Sequence, residues 1–470
     1  MSTETPLTER EIALLRGLNE TLQINANQKE TISSLEAMVV KLQERIAQLE
    51  RNSNNSNKPP SSDPPYKSKS VKNTKPESEK GKPGAKSGHQ AHQRQAFPQS
   101  RIDEVIKHEI PSDKLPDYLV PIEGDLLTYQ QVSCIKAIVT EHQIQRYLNT
   151  RTGEIELAPH PKGLGKLLSP EVTAAIASLK TDGRMSISSL QRFCSEVLNL
   201  KVSRGCLSQA VTEAGKACEK AYTQIREKLQ QSHVIGMDET THWSEGWRLW
   251  MWVAQTPLLT LLRVENTRSA DEIAFFLDKT WLGILVSDDM GAYKKWCRLH
   301  PEIKRQLCHA HLYREVKGLQ EHPCKMAREW ADRAKRIYEL FWKALKRNSI
   351  QRARRVWGLM TKHAQNPPPI NKVNKLAGKL IKYETSLLRC LDDPLVPATN
   401  NASERALRQV VIQRKLTFGT RSEDGIIAWE RIFSLLDTCR KQSLSAYHYL
   451  CEAVSALRAK TELPALALGA

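Results

Sequence analysis

The chain has 470 residues, too long for one ordinary domain, and its 40% hydrophobic content is enough to build real cores. A net charge of +18 and a pI near 9.4 point to a polyanionic partner, nucleic acid being the commonest. The ten cysteines stand singly with no C-x-x-C pair, which excludes a zinc ribbon and a secreted disulfide framework. The polar start MSTETPLTER has no apolar signal-peptide core, and no apolar run reaches the roughly 18 residues of a membrane span. The expected location is the cytoplasm, in a cell where the DNA is accessible, with no membrane partner.

Residues 8–50 read as a helix. From Ile32 the apolar positions form heptads, with Ile32, Val39 and Ile46 at a and Leu35, Leu42 and Leu49 at d. Such a seam asks for a partner helix, and Asn25, at a preceding a position, is a residue type that fixes register. A self-associating coiled coil is therefore expected, against the alternative of a helix packed on its own chain. Residues 51–100 change to Asn, Ser, Pro, Gly and Lys, a composition that cannot bury enough apolar surface to order itself. They read as a disordered basic linker able to meet phosphates without reading sequence.

Residues 101–165 carry β-favouring runs such as VSCIKAIVTEHQIQRYL and read as a small module. Residues 166–230 are helical. Two short amphipathic helices flank Asn199–Val202, the first with Leu190, Phe193 and Val197 on one face, the second with Leu207, Ala210 and Val211. Ser203 is the expected N-cap of the second. The pair is helix-turn-helix-like and nominates Arg204, Ser208 and Gln209 for DNA contact; the plainer reading is a packed hairpin.

From residue 231 the pattern turns to strands: His233–Met237, Trp247–Ala254 and Leu258–Val264. A helix over Ser269–Asp278, a strand at Ile284–Val286, a helix holding Tyr293–Cys297 and a strand at Arg305–Cys308 follow. That succession suits an α/β RNase H-like domain, with its first part at 231–309. Long basic helices over 310–398 form a large helical insertion. The last core helices fall at 399–455, and a tail at 456–470.

Three acidic sites stand out by placement. Asp238 ends the first apolar run, Asp288 ends the fourth, and Glu404 lies far downstream in ATNNASERALR. Carboxylates at the ends of neighbouring strands converge on one rim of a sheet, and a helix can bring a third. Such a set suits hard divalent cations and phosphoryl transfer. Spacing alone leaves Asp238 open against Glu239, and Asp288 against Asp289. It also leaves Glu404 open against a capping box with Asn401.

Five segments, in order, carry a resemblance: NSNKPPSSD at 55–63, KPGAKSGHQAH at 82–92, MDET at 237–240, SDDMGAY at 287–293 and NNASERALR at 400–408. The sequence resembles the transposases of the insertion-sequence-66 family, a DDE group of bacterial mobile elements. The resemblance implies that Asp238, Asp288 and Glu404 are the catalytic, metal-holding triad, with Asp288 preferred to Asp289. It implies two Mg²⁺ ions, with Mn²⁺ able to substitute. The activity it implies is cleavage at the transposon's terminal inverted repeats and strand transfer into target DNA. A homo-oligomer would hold two DNA ends, with accessory proteins of the same element as further candidate partners. Arg405, Arg408, Arg414 and Lys415 would contact DNA, together with Arg204. His309 and His311, in CHAHLYR, resemble the family's CWAHARR box and are candidates to support the site, against the commoner structural role of histidines near a core strand. The family's cysteine-rich module is reduced here to Cys134, too few thiols for a tetrahedral zinc site, so no structural zinc is expected. Two rival functions are a non-catalytic DNA-binding regulator derived from a transposase, and a nuclease of the same fold that cuts without joining.

Overall fold

The computed structural model describes residues 9–49, 98–101, 105, 137–148, 151, 153–158 and 166–469. The expected linker at 51–100 and most of the module at 101–165, Cys134 included, lie outside the described residues.

Helix α1 runs over Glu9–Leu49. Ile32, Leu35, Val39, Leu42 and Ile46 of its seam are all 50% exposed or more, so no other described part of the chain covers them. Strands β1 (Arg146–Leu148) and β2 (Ile155–Leu157) form a small antiparallel pair.

Four helices follow: α2 (Pro170–Thr181), α3 (Ile187–Glu196), α4 (Arg204–Ala217) and α5 (Glu219–Gln230). Their starts obey local chemistry. Ser169 caps α2 ahead of a proline at its first position, and the Ser203 hydroxyl accepts the Cys206 amide at 3.1 Å to cap α4. Leu190 and Leu207 are buried, whereas Val197, expected on the packed face of α3, is 49% exposed. Val197 is the C-cap residue, just past the end of α3.

The sheet holds β3 (Val234–Ser244), β4 (Trp247–Gln255), β5 (Thr260–Glu265), β6 (Ile284–Ser287) and β7 (Lys304–Leu307), in the order β5-β4-β3-β6-β7. The first three are antiparallel, and β6 and β7 add in parallel. Glu245 and Gly246 both have positive φ and join Ser244 to Trp247, the two-residue turn that suits strand twist. The hairpin explains one departure from the sequence reading. Strand β3 does not end before Asp238 but continues to Ser244, because cross-strand pairing with β4 holds the polar run in register. The expected helix at Ser269–Asp278 is instead a 3₁₀ turn, Ala270–Phe275, whose Ile273 is fully buried. The segment is too short to propagate an α-helix.

Helix α6 (Gly291–Leu299) links β6 to β7. Then come α7 (His309–Gln320), α8 (Lys325–Lys346), α9 (Ile350–Ala364), α10 (Asn371–Lys382) and α11 (Glu384–Asp392), and finally α12 (Asn401–Thr417), α13 (Glu423–Lys441) and α14 (Ala446–Ala459). One face of the sheet (Ile235, Met237, Trp252, Leu261) shares an unbroken apolar core with α2–α5 and α14. The other face (Met251, Val253, Leu262, Val264) packs on α12 and α13. Helices α7–α11 form their own core and reach the sheet at Ile284, Val286 and Leu307. The chain is thus mixed α/β, with helices on both faces of a five-stranded sheet.

Edge strand β5 is closed by side chains of α13. The amides of Thr260, Leu262 and Val264 donate to Thr438 Oγ1, Ser434 Oγ and Glu430 Oε1 at 3.0, 2.9 and 2.7 Å. Alternate strand residues recur every ~6.7 Å and every fourth helix residue every ~6 Å, so the two ladders match. An edge that could template another strand is covered. Among the described residues no helix is long and apolar enough to cross a membrane.

Candidate active site

Asp238 lies inside β3 and Asp288 just beyond β6. The parallel register pairs Gly236 with Val286, so continuing it two residues sets Asp238 level with Asp288 at one rim. Glu404 comes from the first turn of α12. That helix is seated on β3 by Asn400, whose Nδ2 donates to the Met237 carbonyl at 2.7 Å, and by Ser403, whose hydroxyl donates to Asn400 Oδ1 at 2.7 Å. Gly236 is required beneath them: a Cβ there would meet Ser403 Oγ at 2.7 Å and Asn400 Oδ1 at 3.1 Å. The approach is too close for any side chain.

The two acidic pairs left open by spacing separate by their surroundings. Glu239 is held by Arg268, whose Nε donates at 2.9 Å, and by the Tyr293 hydroxyl at 2.7 Å. Among the described residues Asp238 accepts only the Glu239 amide, at 3.0 Å. Burial, then repulsion from Glu239, Asp288 and Glu404, holds the Asp238 carboxyl well above the usual carboxylate range, and among the described residues no cation is ion-paired with it. Asp289 has three cations around it: Lys294 at 3.4 Å, Lys379 at 3.6 Å and Arg305 at 3.9 Å. Asp288 instead accepts the Met290 amide at 2.9 Å and is ion-paired to none of them. In each pair one carboxylate is neutralised, and the other is left facing its acidic neighbours.

Glu404 has a different partner. Arg314 Nη2, on α7, lies 3.0 and 3.1 Å from its two oxygens, and His311 Nε2 is 3.7 Å away. The capping box does not form: α12 is preceded by Asn400, no side chain caps it, and Asn401 Oδ1 is buried without a partner. His309 and His311 part company. His309 is fully buried, bonded through Nε2 to the Leu387 carbonyl at 2.7 Å and ringed by Tyr338, Phe341 and Trp357. Burial brings its pKa down to about 4, so it belongs to the core. His311 sits among the charges of Asp288, Arg314 and Glu404, and burial holds its pKa below the ordinary value.

Of the basic residues nominated for DNA, Arg405, Arg408, Lys415 and Arg204 are exposed. Arg204 also reaches Gln191 Oε1 at 3.3 Å. Arg414 is half-buried, and its Nη1 donates to the Thr240 and Thr241 hydroxyls at 3.3 and 3.0 Å. Its guanidinium ties α12 to β3. The sequence reading missed Arg314 and Arg305. Arg305 is buried in β7; it donates to Ser287 Oγ at 3.1 Å and to the Asp288 carbonyl, so it props the loop that carries Asp288. Arginine inside a short buried strand was a signal in itself. So was Arg314, one turn beyond His311.

Among the described residues no three His, Cys, Asp or Glu side chains are gathered tightly enough to enclose an ion as they stand. Glu404 is drawn to Arg314 while Asp238 and Asp288 face one another. The charge balance nonetheless fits a divalent cation: Asp238 lies part-buried beside three other carboxylates, and among the described residues no cation pairs with it.

Residues 165–428 match the family model described as Transposase IS66 family, and residues 4–95 match a family of unknown function. In Sinorhizobium fredii (strain NBRC 101917 / NGR234), the uncharacterized protein y4jO is 41% identical over 78 residues, 17% of this chain and 24% of its own. From the same organism, the uncharacterized protein y4qI is 24% identical over 397 residues, 76% of this chain and 72% of its own. The chain thus spans about a quarter of the length of the first relative and nearly three quarters of the second. The matched family segment contains Asp238, Asp288, Glu404 and the whole sheet, and the chain belongs to the IS66 family of transposases.

Proposed function

We propose that this transposase is a DDE enzyme that cleaves DNA at transposon ends and joins the freed ends to target DNA, with Asp238, Asp288 and Glu404 as its catalytic carboxylates. The observation that carries the reading is the carboxyl of Asp238, without an ion pair among the described residues, beside Asp288 and Glu404 and next to two acidic neighbours that are neutralised. The sheet order, three antiparallel strands followed by two parallel ones, supports an RNase H-like core.

The three carboxylates would hold two Mg²⁺ ions, or Mn²⁺ in their place. When bound, the ions supply Lewis-acid stabilisation of the attacking and leaving oxygens of an in-line displacement. The chain's own residues do the rest. Asn400, Ser403 and Arg414 fix α12 to β3 and so position Glu404. Arg305 holds the Asp288 loop. Arg314 keeps Glu404 in place until the site loads. Arg405, Arg408, Lys415 and Arg204 offer exposed charge to DNA phosphates at the terminal repeats and target. Water attacks a phosphodiester at each transposon end, and the released 3′-hydroxyl then attacks a target phosphodiester, releasing a new 3′-hydroxyl. Two ends must be held together, and pairing of two copies through the exposed α1 seam would do so.

A strand-transfer assay with cognate ends and Mg²⁺ tests the reading. Asp238→Asn, Asp288→Asn and Glu404→Gln should each abolish cleavage and joining while leaving DNA binding intact. Full joining by all three variants would overturn it. Cutting without joining by the wild type would favour the nuclease instead.

A further inference from the structure

Positive charge is concentrated in the helices between α7 and α11. Residues 325–382 hold sixteen Lys and Arg against three Asp and Glu, a net +13 of the chain's +18. Within this stretch the sequence repeats itself. RAKRIYELFWK at 333–343 and RARRVWGLMTK at 352–362 align without a gap, Arg, Ala, Arg, Leu and Lys recurring at the same five positions. The first copy lies in α8 and the second in α9.

The repeat divides into two sets. Ala334 and Ala353, Ile337 and Val356, Tyr338 and Trp357, and Phe341 and Met360 are pairwise equivalent and all buried. Tyr338 and its counterpart Trp357 pack on each other, ring centroids 5.6 Å apart. Two antiparallel helices that meet through equivalent residues are related by a two-fold axis across the hairpin. That relation sets equivalent outward residues on one side. The outward set is Arg333, Arg336 and Lys343 in α8, and Arg352, Arg355 and Lys362 in α9, all exposed. Leu340 and Leu359 recur between them, 40% and 53% exposed.

Packing explains the buried half of the repeat. It does not call for the other half, since exposed cations add nothing to a core and repel one another. Each row covers about ten residues, roughly 15 Å of helix, a length that reaches several backbone phosphates. The helices on either side of the hairpin, α7 and α10, reach the carboxylate site. Helix α7, which carries Arg314, leads into α8, and Lys379 of α10 reaches Glu315 at 2.9 Å and Asp289 at 3.6 Å.

We propose that the α8–α9 hairpin is a DNA-docking surface, laying two matched rows of Arg and Lys on the phosphate backbone of duplex DNA that enters the carboxylate site. The proposal rests on the DNA-transfer reading above. It assigns backbone grip, not base reading, to this element.

The test uses the full chain and a DNA duplex of arbitrary sequence, with affinity measured across a range of salt. One variant neutralises the rows (R333Q, R336Q, K343Q, R352Q, R355Q, K362Q). A second keeps the charge by exchanging Arg and Lys at the same positions. Two half-variants neutralise one helix each, so that a folding defect in the full set does not decide the result. Neutralisation should weaken binding more than tenfold and flatten the salt dependence by about 0.9 for each phosphate no longer gripped, about 3 to 5 in slope. Each half-variant should show part of that change, and the charge-keeping variant close to none. Unchanged affinity and slope in variants that unfold at the wild-type temperature would overturn the docking surface while leaving the carboxylate reading intact. The docking surface is also overturned if neutralisation abolishes binding to phosphatidylserine vesicles and spares DNA. A wild type that binds no duplex would overturn both.

Discussion

Arg314 on α7 grips both oxygens of Glu404 on α12, at 3.0 and 3.1 Å, across 90 residues of chain. Charge-assisted hydrogen bonds of this kind contribute about 1.5–3 kcal/mol. Both side chains are largely buried. Removing the arginine leaves Glu404 among like charges, a loss that a bound divalent cation would offset. Arg314→Ala should therefore lower the unfolding temperature in a chelator by more than it does in Mg²⁺. Equal losses in both conditions would remove Arg314 from the site's charge balance.

Asp238→Asn should stabilise the metal-free protein by about 1–3 kcal/mol as it abolishes end cleavage. It removes a desolvated charge and keeps the shape. Asp289→Asn should do the opposite, because Lys294, Lys379 and Arg305 lose their common partner. Thermal unfolding of both variants in a chelator distinguishes the bare acid from the neutralised one. The same sign for both would contradict that separation.

Burial raises the Glu430 carboxyl from 4.5 to about 7. A raised carboxyl favours the fold in its protonated state. Its contribution is full below pH 4.5 and declines as pH climbs to about 7, by at most about 3 kcal/mol. Glu430→Gln retains an acceptor for the Val264 amide. Its unfolding midpoint should therefore fall less than the wild type's between about pH 5 and about pH 8. Parallel pH profiles would show that the edge of β5 does not carry this cost.

Gly236→Ala would drive a methyl into Ser403 and Asn400. Overpacking of this sort costs about 1–3 kcal/mol. Because those residues seat α12, Glu404 should be displaced and strand transfer should fall by more than the stability loss predicts. Activity scaled only by the folded fraction would argue against the seating role.

Much of the architecture was legible because it is written in local periodicity. Apolar runs marked four strands of the sheet and the succession of elements suggested the fifth, the turn at Glu245-Gly246 marked its hairpin, and Ser203 marked the start of α4. The reading stopped β3 too early because MDETTHWS is polar, and only pairing with β4 makes it strand. It gave Arg414 to DNA, with Lys415, because the two follow the family box at 400–408. The hydroxyls of Thr240 and Thr241 that take up its guanidinium lie 174 and 173 residues upstream.

Taken alone, the amino-acid order determined the succession of elements, the three acidic positions and the family boxes around them, all of which are carried by near neighbours in the chain. Which acid of each pair stays bare was decided only by tertiary structure. Neutralising cations reach Glu239 from 29 residues away and Asp289 from as far as 90, and Coulomb forces depend on distance through space, not on distance along the chain.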